Sequence, residues 1–179
     1  EVSLFGGYRR INGYEKLNVN YPSVGTSAEA EGKVLGLAIY NDDSFDEAVI
    51  IAARKDVGAN TYSFYRYRPY AGWSKYTGVP TRNSVSANGQ VPVKLLRHVS
   101  FNFGDGNKIA FVDGVNNAIV FDGTSWSTLS TAGTGIPSSG GGAQCLDSPS
   151  LIEVFENHLF IGGDIQYQAT IAHCAPQDV

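Results

Sequence analysis

A recurring series of short apolar runs, separated by tight-turn dipeptides, constrains this chain most. VLGLAIY (34–40), AVIIAAR (48–54), TYSFYRYRP (61–69) and WSKYTG (73–78) follow one another. The series then returns as KLLRHVSFNF (94–103), KIAFVDG (108–114), NAIVFDG (117–123) and SWSTL (125–129). A third copy opens with LIEVFEN (151–157), HLFIGGD (158–164) and QATIAHC (168–174), and stops before a fourth strand. Runs of this length bounded by Gly, Asn and Asp read as β-strands joined by hairpins. Trp73 and Trp126 both fall at the start of the fourth run. A four-strand unit returning every ~50 residues is the sequence signature of a β-propeller blade.

The expected fold is therefore all-β, with β-propeller-like four-stranded blades: two complete blades and part of a third. The segments are a strand meander and loop over 1–33, a first repeat over 34–78 and a connection over 79–92. A second repeat spans 93–129, a Gly/Ser-rich loop 130–149, and a partial third repeat 150–179. No long stretch keeps apolar residues at helical spacing, so almost no helix is expected. Propellers close with four to eight blades. A chain that starts at Glu1 inside strand-like sequence thus reads as a fragment of a larger propeller.

Composition narrows the function classes. The formal charge is −4, which disfavours generic attraction to nucleic acid as the main task. No apolar run approaches the roughly 18 residues of a membrane span. Cys145 and Cys174 read as two free thiols, with one bridge between them as the alternative. No spacing of Cys or His suggests zinc, and no cofactor is expected.

Each chemical candidate meets a plainer structural reading. Asp122-Gly123 is a turn pair: the carboxylate accepts backbone N–H bonds while glycine takes a positive φ. Trp126 can close a layer between blades, worth about 2–3 kcal/mol. Trp73 holds the matching place in the first blade. DGTSW resembles the Asp-box of sialidase-like propellers, S-x-D-x-G-x-x-W, but the adjacency of Asp122 and Gly123 puts the spacing off by one. Such boxes are structural turns in any case. Asp42, Asp43, Asp46 and Glu47 form an acidic cluster without the spacing of a calcium loop, and read as a solvated turn. GDGNK (104–108) opens no helix and reads as a hairpin turn. His98, His158 and His173 lie in strands without a local partner. Tyr65, Arg66, Tyr67 and Arg68 alternate aromatic and basic side chains. That pattern suits single-stranded nucleic acid or sugar; the plainer readings are the wet face of an outer strand or a protein interface, and the interface is the expectation because Tyr and Arg favour interfaces. No catalytic constellation emerges, so the chain is not expected to be an enzyme.

Three segments together resemble a known family. GGYRRINGYEKL (6–17) resembles a strand bearing G-[LY]-x-[KR]-R before a G-[YF]-E-[KR] turn. KIAFVDGVNNAIVFDGTSWSTL (108–129) and SPSLIEVFENHLFIGGD (148–164) resemble the blade sequences of the same proteins. The family is the tail nozzle (tail tubular) protein and related propeller-bearing virion proteins of tailed bacteriophages. The resemblance implies a structural virion protein located in the phage tail. It implies a homo-oligomeric ring of hexamer type, contacts with an adaptor and other tail proteins, and no membrane. Duplex DNA would be only transient passing cargo. An acidic lining at Asp42, Asp43, Asp46 and Glu47 would repel phosphates and let the duplex slide. The rival expectation is a glycan-binding or sialidase-like propeller, with exposed aromatics and paired carboxylates in a concave site.

Overall fold

The computed structural model describes residues 32–41, 48–68, 72–89, 91–102, 104, 106–129, 147–165 and 168–173. Among these the chain is all-β and holds no helix. Three antiparallel sheets follow each other along the sequence, each a simple meander. The first sheet contains β1 (Val34–Asn41), β2 (Ala48–Lys55), β3 (Tyr62–Arg68) and β4 (Gly72–Lys75). The second contains β5 (Arg97–Asn102), β6 (Asn107–Val112), β7 (Ile119–Phe121) and β8 (Trp126–Thr128). The third contains β9 (Leu151–Phe155), β10 (His158–Gly162) and β11 (Ile171–His173), in the order β11-β10-β9.

The period-2 alternation of each strand decides how the sheets meet. On β6 and β7, Ile109, Phe111, Ile119 and Phe121 point one way and join Ile51, Phe64 and Tyr40 of the first sheet in one core. Ala110, Val112 and Val120 point the other way and join Ile152, Leu159 and Ile161 of the third sheet in a second core. The second sheet is therefore the middle layer of three. Ile109, Ala110, Phe111 and Val112 are all fully buried, which explains why KIAFV reads as a continuous apolar run.

Two details depart from the sequence pattern. Lys94, Leu95 and Leu96 lie outside β5, although KLLRHVSFNF reads as one run. The Leu96 N–H instead donates to the Leu35 carbonyl at 2.9 Å, and Val93 and Leu96 enter the first core. The approach is so close that a Cβ on Gly36 would stand 2.8 Å from the Leu96 Cβ, so only glycine fits. The connection after β4 is also not a simple solvent loop. The Tyr62 N–H donates to the Arg82 carbonyl at 3.1 Å and the Ser84 N–H to that of Asn60 at 2.8 Å, tying the connection back along β3.

The stretches 1–31, 42–47 and 130–146 fall outside the described residues. So do the expected N-terminal meander, most of the Gly/Ser-rich loop, the acidic cluster Asp42, Asp43, Asp46 and Glu47, and both cysteines.

Candidate functional site

The turn that joins β7 to β8 is built by one side chain. Asp122 Oδ1 accepts the N–H groups of Thr124 at 2.8 Å and Ser125 at 2.7 Å, and Oδ2 accepts the Ser125 hydroxyl at 2.7 Å. Gly123 follows at φ 97°, a conformation glycine adopts without a Cβ clash. Partial burial pushes the Asp122 carboxyl up. The hydrogen bonds from Ser125 and Thr124, with Lys108 nearby, outweigh that effect and hold it below its ordinary value. All of these bonds serve the turn.

The turn delivers Trp126 to the centre of the first seam. Its ring stacks on Phe121 at 4.6 Å between centroids and lies 4.5 Å from Phe64 across the sheets. Tyr76 and Phe111 complete the cluster at 5.3 and 5.6 Å. The indole N–H is buried and has no acceptor. An orphaned donor of that kind costs about 1–3 kcal/mol, so the aromatic packing outweighs it.

Beside this cluster lies a polar latch. Asp113, just past β6, is buried and accepts five hydrogen bonds. Oδ1 takes the Val115 and Asn116 N–H groups at 2.8 and 2.7 Å. Oδ2 takes the Tyr62 hydroxyl at 2.5 Å, the Asn116 side-chain amide at 2.7 Å and Arg82 Nη2 at 3.0 Å. Arg82 also donates Nε to the Tyr62 oxygen at 3.1 Å and Nη1 to the Asn117 carbonyl at 2.7 Å. Asn116 clamps the other side, accepting from the Asn83 N–H and donating to the Asn83 carbonyl. Burial, then the Asp113 charge, drives the Tyr62 hydroxyl far above its usual range, with Arg82 opposing. The proton therefore stays on Tyr62 and the hydrogen bond to Asp113 persists. Each of these groups has its partners, so the cluster fixes the first sheet against the second.

The sequence pattern singles out none of Tyr62, Arg82, Asp113 or Asn116. An Arg in a polar connection and an Asp before Gly both read as solvated. A weak signal exists in the D-G-V-N-N stretch, whose Asn pair exceeds what a short turn needs.

The residues of 65–68 separate onto two faces. Tyr65 and Tyr67 are buried on the side of the first sheet that points away from the second. Tyr67 packs on Trp73 at 5.3 Å, and the Arg54 guanidinium lies 4.8 Å over the Tyr65 ring. Arg66 points to the opposite side, donating Nε to the Ser74 hydroxyl at 3.0 Å and lying 5.6 Å from the Tyr76 ring. Arg68, two residues on, alternates to the Arg66 side.

The cross-strand register makes Trp73 and Trp126 equivalent in their sheets. Trp73 pairs with Tyr67, and Trp126 pairs with Phe121. Each Trp belongs to the face its sheet turns towards the N-terminal end of the stack. For Trp126 that face is covered by the first sheet. For Trp73, among the described residues, it is the outside of the stack, with Leu37 and Ile39 exposed beside it. The far side of the third sheet is open as well among the described residues, presenting Leu151, Phe155 and Ile171.

His158 and His173 lie on that far side, 5.8 Å apart, and Phe160 forms a triangle with them at 6.1 and 5.7 Å. His98 leans on Phe111, and partial burial of its ring lowers its pKa. Among the described residues no three His, Cys, Asp or Glu side chains gather as metal ligands. A groove of about 420 Å³ runs past Lys94, Arg97, Ser150 and Gln168, where the ends of the second and third sheets meet. Asp113 and Ser150 also line it, but the Asp113 carboxylate is taken up by the latch and the Ser150 hydroxyl donates to the Gly163 carbonyl at 2.7 Å. What the arrangement supports physically is packing of sheet on sheet. No family model, no curated protein and no solved structure matches the chain.

Proposed function

We propose that this chain is building material of a bacteriophage tail: a structural virion protein of the nozzle or tail tube, whose sheets serve as blades of a β-propeller. The observation that carries this reading is the three-layer stack, with an apolar core on each face of its middle sheet and apolar side chains on both end faces. A sheet of this kind is stabilised by neighbours on both sides, which is the logic of repeat architectures. The blade-like sequences over 108–129 and 148–164 supply the phage assignment by resemblance.

In this reading the protein forms a homo-oligomeric ring, of hexamer type, with an adaptor and other tail proteins as partners. Duplex DNA passes through as transient cargo. The acidic stretch Asp42, Asp43, Asp46 and Glu47 is the proposed lining, since like charge keeps phosphates from sticking. The test is peptide mass spectrometry of purified phage particles, with antibody labelling by electron microscopy. The reading expects a fixed copy number per particle and label at the tail. Absence of the chain from particles, or label on the capsid, overturns it.

A further inference from the structure

The turn between β9 and β10 has an uncommon backbone. Glu156 and Asn157 form it with φ of 46° and 61°. Among the described residues they are the only non-glycine residues with positive φ. A two-residue hairpin turn with both φ positive favours Asn-Gly or Asp-Gly, and a glutamate is strained there. In this conformation the Glu156 carbonyl lies 2.8 Å from His158 Nδ1. A carbonyl only accepts, so Nδ1 carries the proton and Nε2 of the neutral ring keeps its lone pair. A histidine that binds a metal is held in this way, with its other ring nitrogen donating to a carbonyl or carboxylate.

A second histidine arrives from the next strand. His173 pairs with Phe160 across β10 and β11, and His158 stands two residues before Phe160. The two imidazoles are therefore diagonal neighbours on one face of the sheet. Their centroids are 5.8 Å apart and their planes meet at 63°. Two imidazoles bound tetrahedrally to one zinc through bonds of about 2.0–2.1 Å stand roughly 5 Å apart between centroids. The observed spacing is within a small rotation of that distance, and χ2 of histidine is soft. His158 is half-buried and His173 exposed. Glu153 shares the face, opposite Phe160 on β9, and its Oε1 accepts the Val154 N–H at 3.2 Å. Among the described residues no third His, Cys, Asp or Glu joins the pair, so water completes the coordination.

We propose that His158 and His173 together bind a divalent transition ion of the zinc class, which fastens β11 to β10. Imidazole suits zinc, nickel and copper, whereas magnesium and calcium take oxygen ligands. The gain falls where the sheet is thinnest. β11 has three residues and, among the described residues, pairs on one side only. The ligands lie fifteen positions apart in the chain, on two different strands, so no local motif marks them. Cys174 follows His173 in sequence and lies outside the described residues; the proposal assigns the ion to the imidazoles. It is independent of the phage reading, which is tested on particles, so either can fail alone.

Zinc chloride titrated into the purified chain tests it, followed by calorimetry and by the histidine ring resonances in NMR. Ligand nitrogens must be unprotonated, so the buffer is neutral to slightly alkaline. One zinc per chain is expected. In the parent chain the ring signals of His158 and His173 should shift together while those of His98 stay in place, and amide exchange in β11 should slow. This arm needs no variant, so a misfolded variant cannot imitate success. His158→Ala and His173→Ala are each expected to weaken binding about 100-fold, the upper end of what losing a residue that merely orients a ligand costs. Cys145→Ser/Cys174→Ser should bind as the parent does, and magnesium chloride should shift neither ring. Ring signals that stay in place at millimolar zinc overturn the proposal and leave the histidines as an aromatic cluster with Phe160. Binding that survives either histidine variant, that is lost in the cysteine variant, or that magnesium reproduces, overturns it as well.

Discussion

The two seams of the stack are held by different physics. Between the first and second sheets, four aromatic rings gather around Trp126, and the buried Arg82–Asp113 pair adds a fully bonded latch. Between the second and third sheets the core is mostly aliphatic and small: Ala110, Val112, Ala118, Val120, Ile152, Leu159 and Ile161, with Phe101 at one side. The polar ties of the second seam are mainly loop bonds, such as the Gly114 N–H to the Pro149 carbonyl at 2.8 Å and the Asn117 side-chain amide to the Asp147 carboxylate at 3.0 Å. Apolar burial alone is non-directional. Hydrogen-bonded ion pairs tolerate few geometries and cost heavily when broken. The first seam is therefore specified in register and the second is adaptable. A unit built this way carries a rigid pair of sheets and a third that can adjust to its neighbour.

The largest expected effect falls on the latch. Arg82→Ala leaves Asp113 charged, buried and short of its cation, and costs about 3–5 kcal/mol. Hydrogen exchange should rise in β3 and β6 together, because both lose the same tie. If exchange rises only in the connection 79–89, the latch does not hold the sheets.

Leu159→Ala probes the other seam. Removing a buried leucine costs about 2–5 kcal/mol. Protection in β9 to β11 should fall while β3 and β6 keep theirs. Equal loss across all three sheets would show one cooperative core and end the distinction between seams.

Alkali separates the seams by chemistry. The Tyr62 pKa is raised, so its contribution is fully present below about pH 10, the ordinary tyrosine value, and is lost as pH rises through the folded value. Tyr76, whose hydroxyl is pushed up to about 12 chiefly by burial, adds to this dependence. Tyr62→Phe should cost about 1.5–3 kcal/mol at neutral pH, the range for a hydrogen bond to a charged group. It should also flatten the loss of stability above about pH 10 without abolishing it. An unchanged alkaline profile would remove Tyr62 from the latch. Urea melts from about pH 7 to about pH 11, spanning the ordinary tyrosine value, read both quantities.

The smallest effect is at the turn. Asp122→Ala should cost about 1 kcal/mol, as loss of a comparable cap does. Because the Asp122 pKa is depressed, its contribution is present above the ordinary carboxylate value and is lost as pH falls through the folded one. The variant should therefore differ from the parent at neutral pH and converge with it in acid. Thermal melts under both conditions decide this.

The strands are legible in the sequence because alternation and turn chemistry are local. Asp122-Gly123 and the run before it announce β7 and its turn, and KIAFV announces a strand buried on both sides. What is not legible depends on distance or on a single-residue slip. Arg82 meets Asp113 across 31 positions, and nothing near either residue marks the other. The irregularity between Val34 and Gly36 shifts β1 against β2, so that Leu35 and Ala38, three apart, both enter the core. A slip of one residue exchanges the two faces of a strand, and neighbouring residues give no sign of it. The aromatic and basic residues of 65–68 visibly alternate, but nothing local says that Tyr65 and Tyr67 point out of the stack while Arg66 points in.

Sheets that lean on other sheets at both ends are the central claim. The most direct measurement is an electron cryo-microscopy map of the native assembly in which this chain occurs. The expected map has another sheet packed over Leu37, Ile39 and Trp73, another over Leu151, Phe155 and Ile171, and layers that turn about a common axis. A map in which both faces meet solvent, with the three sheets standing alone, would contradict it.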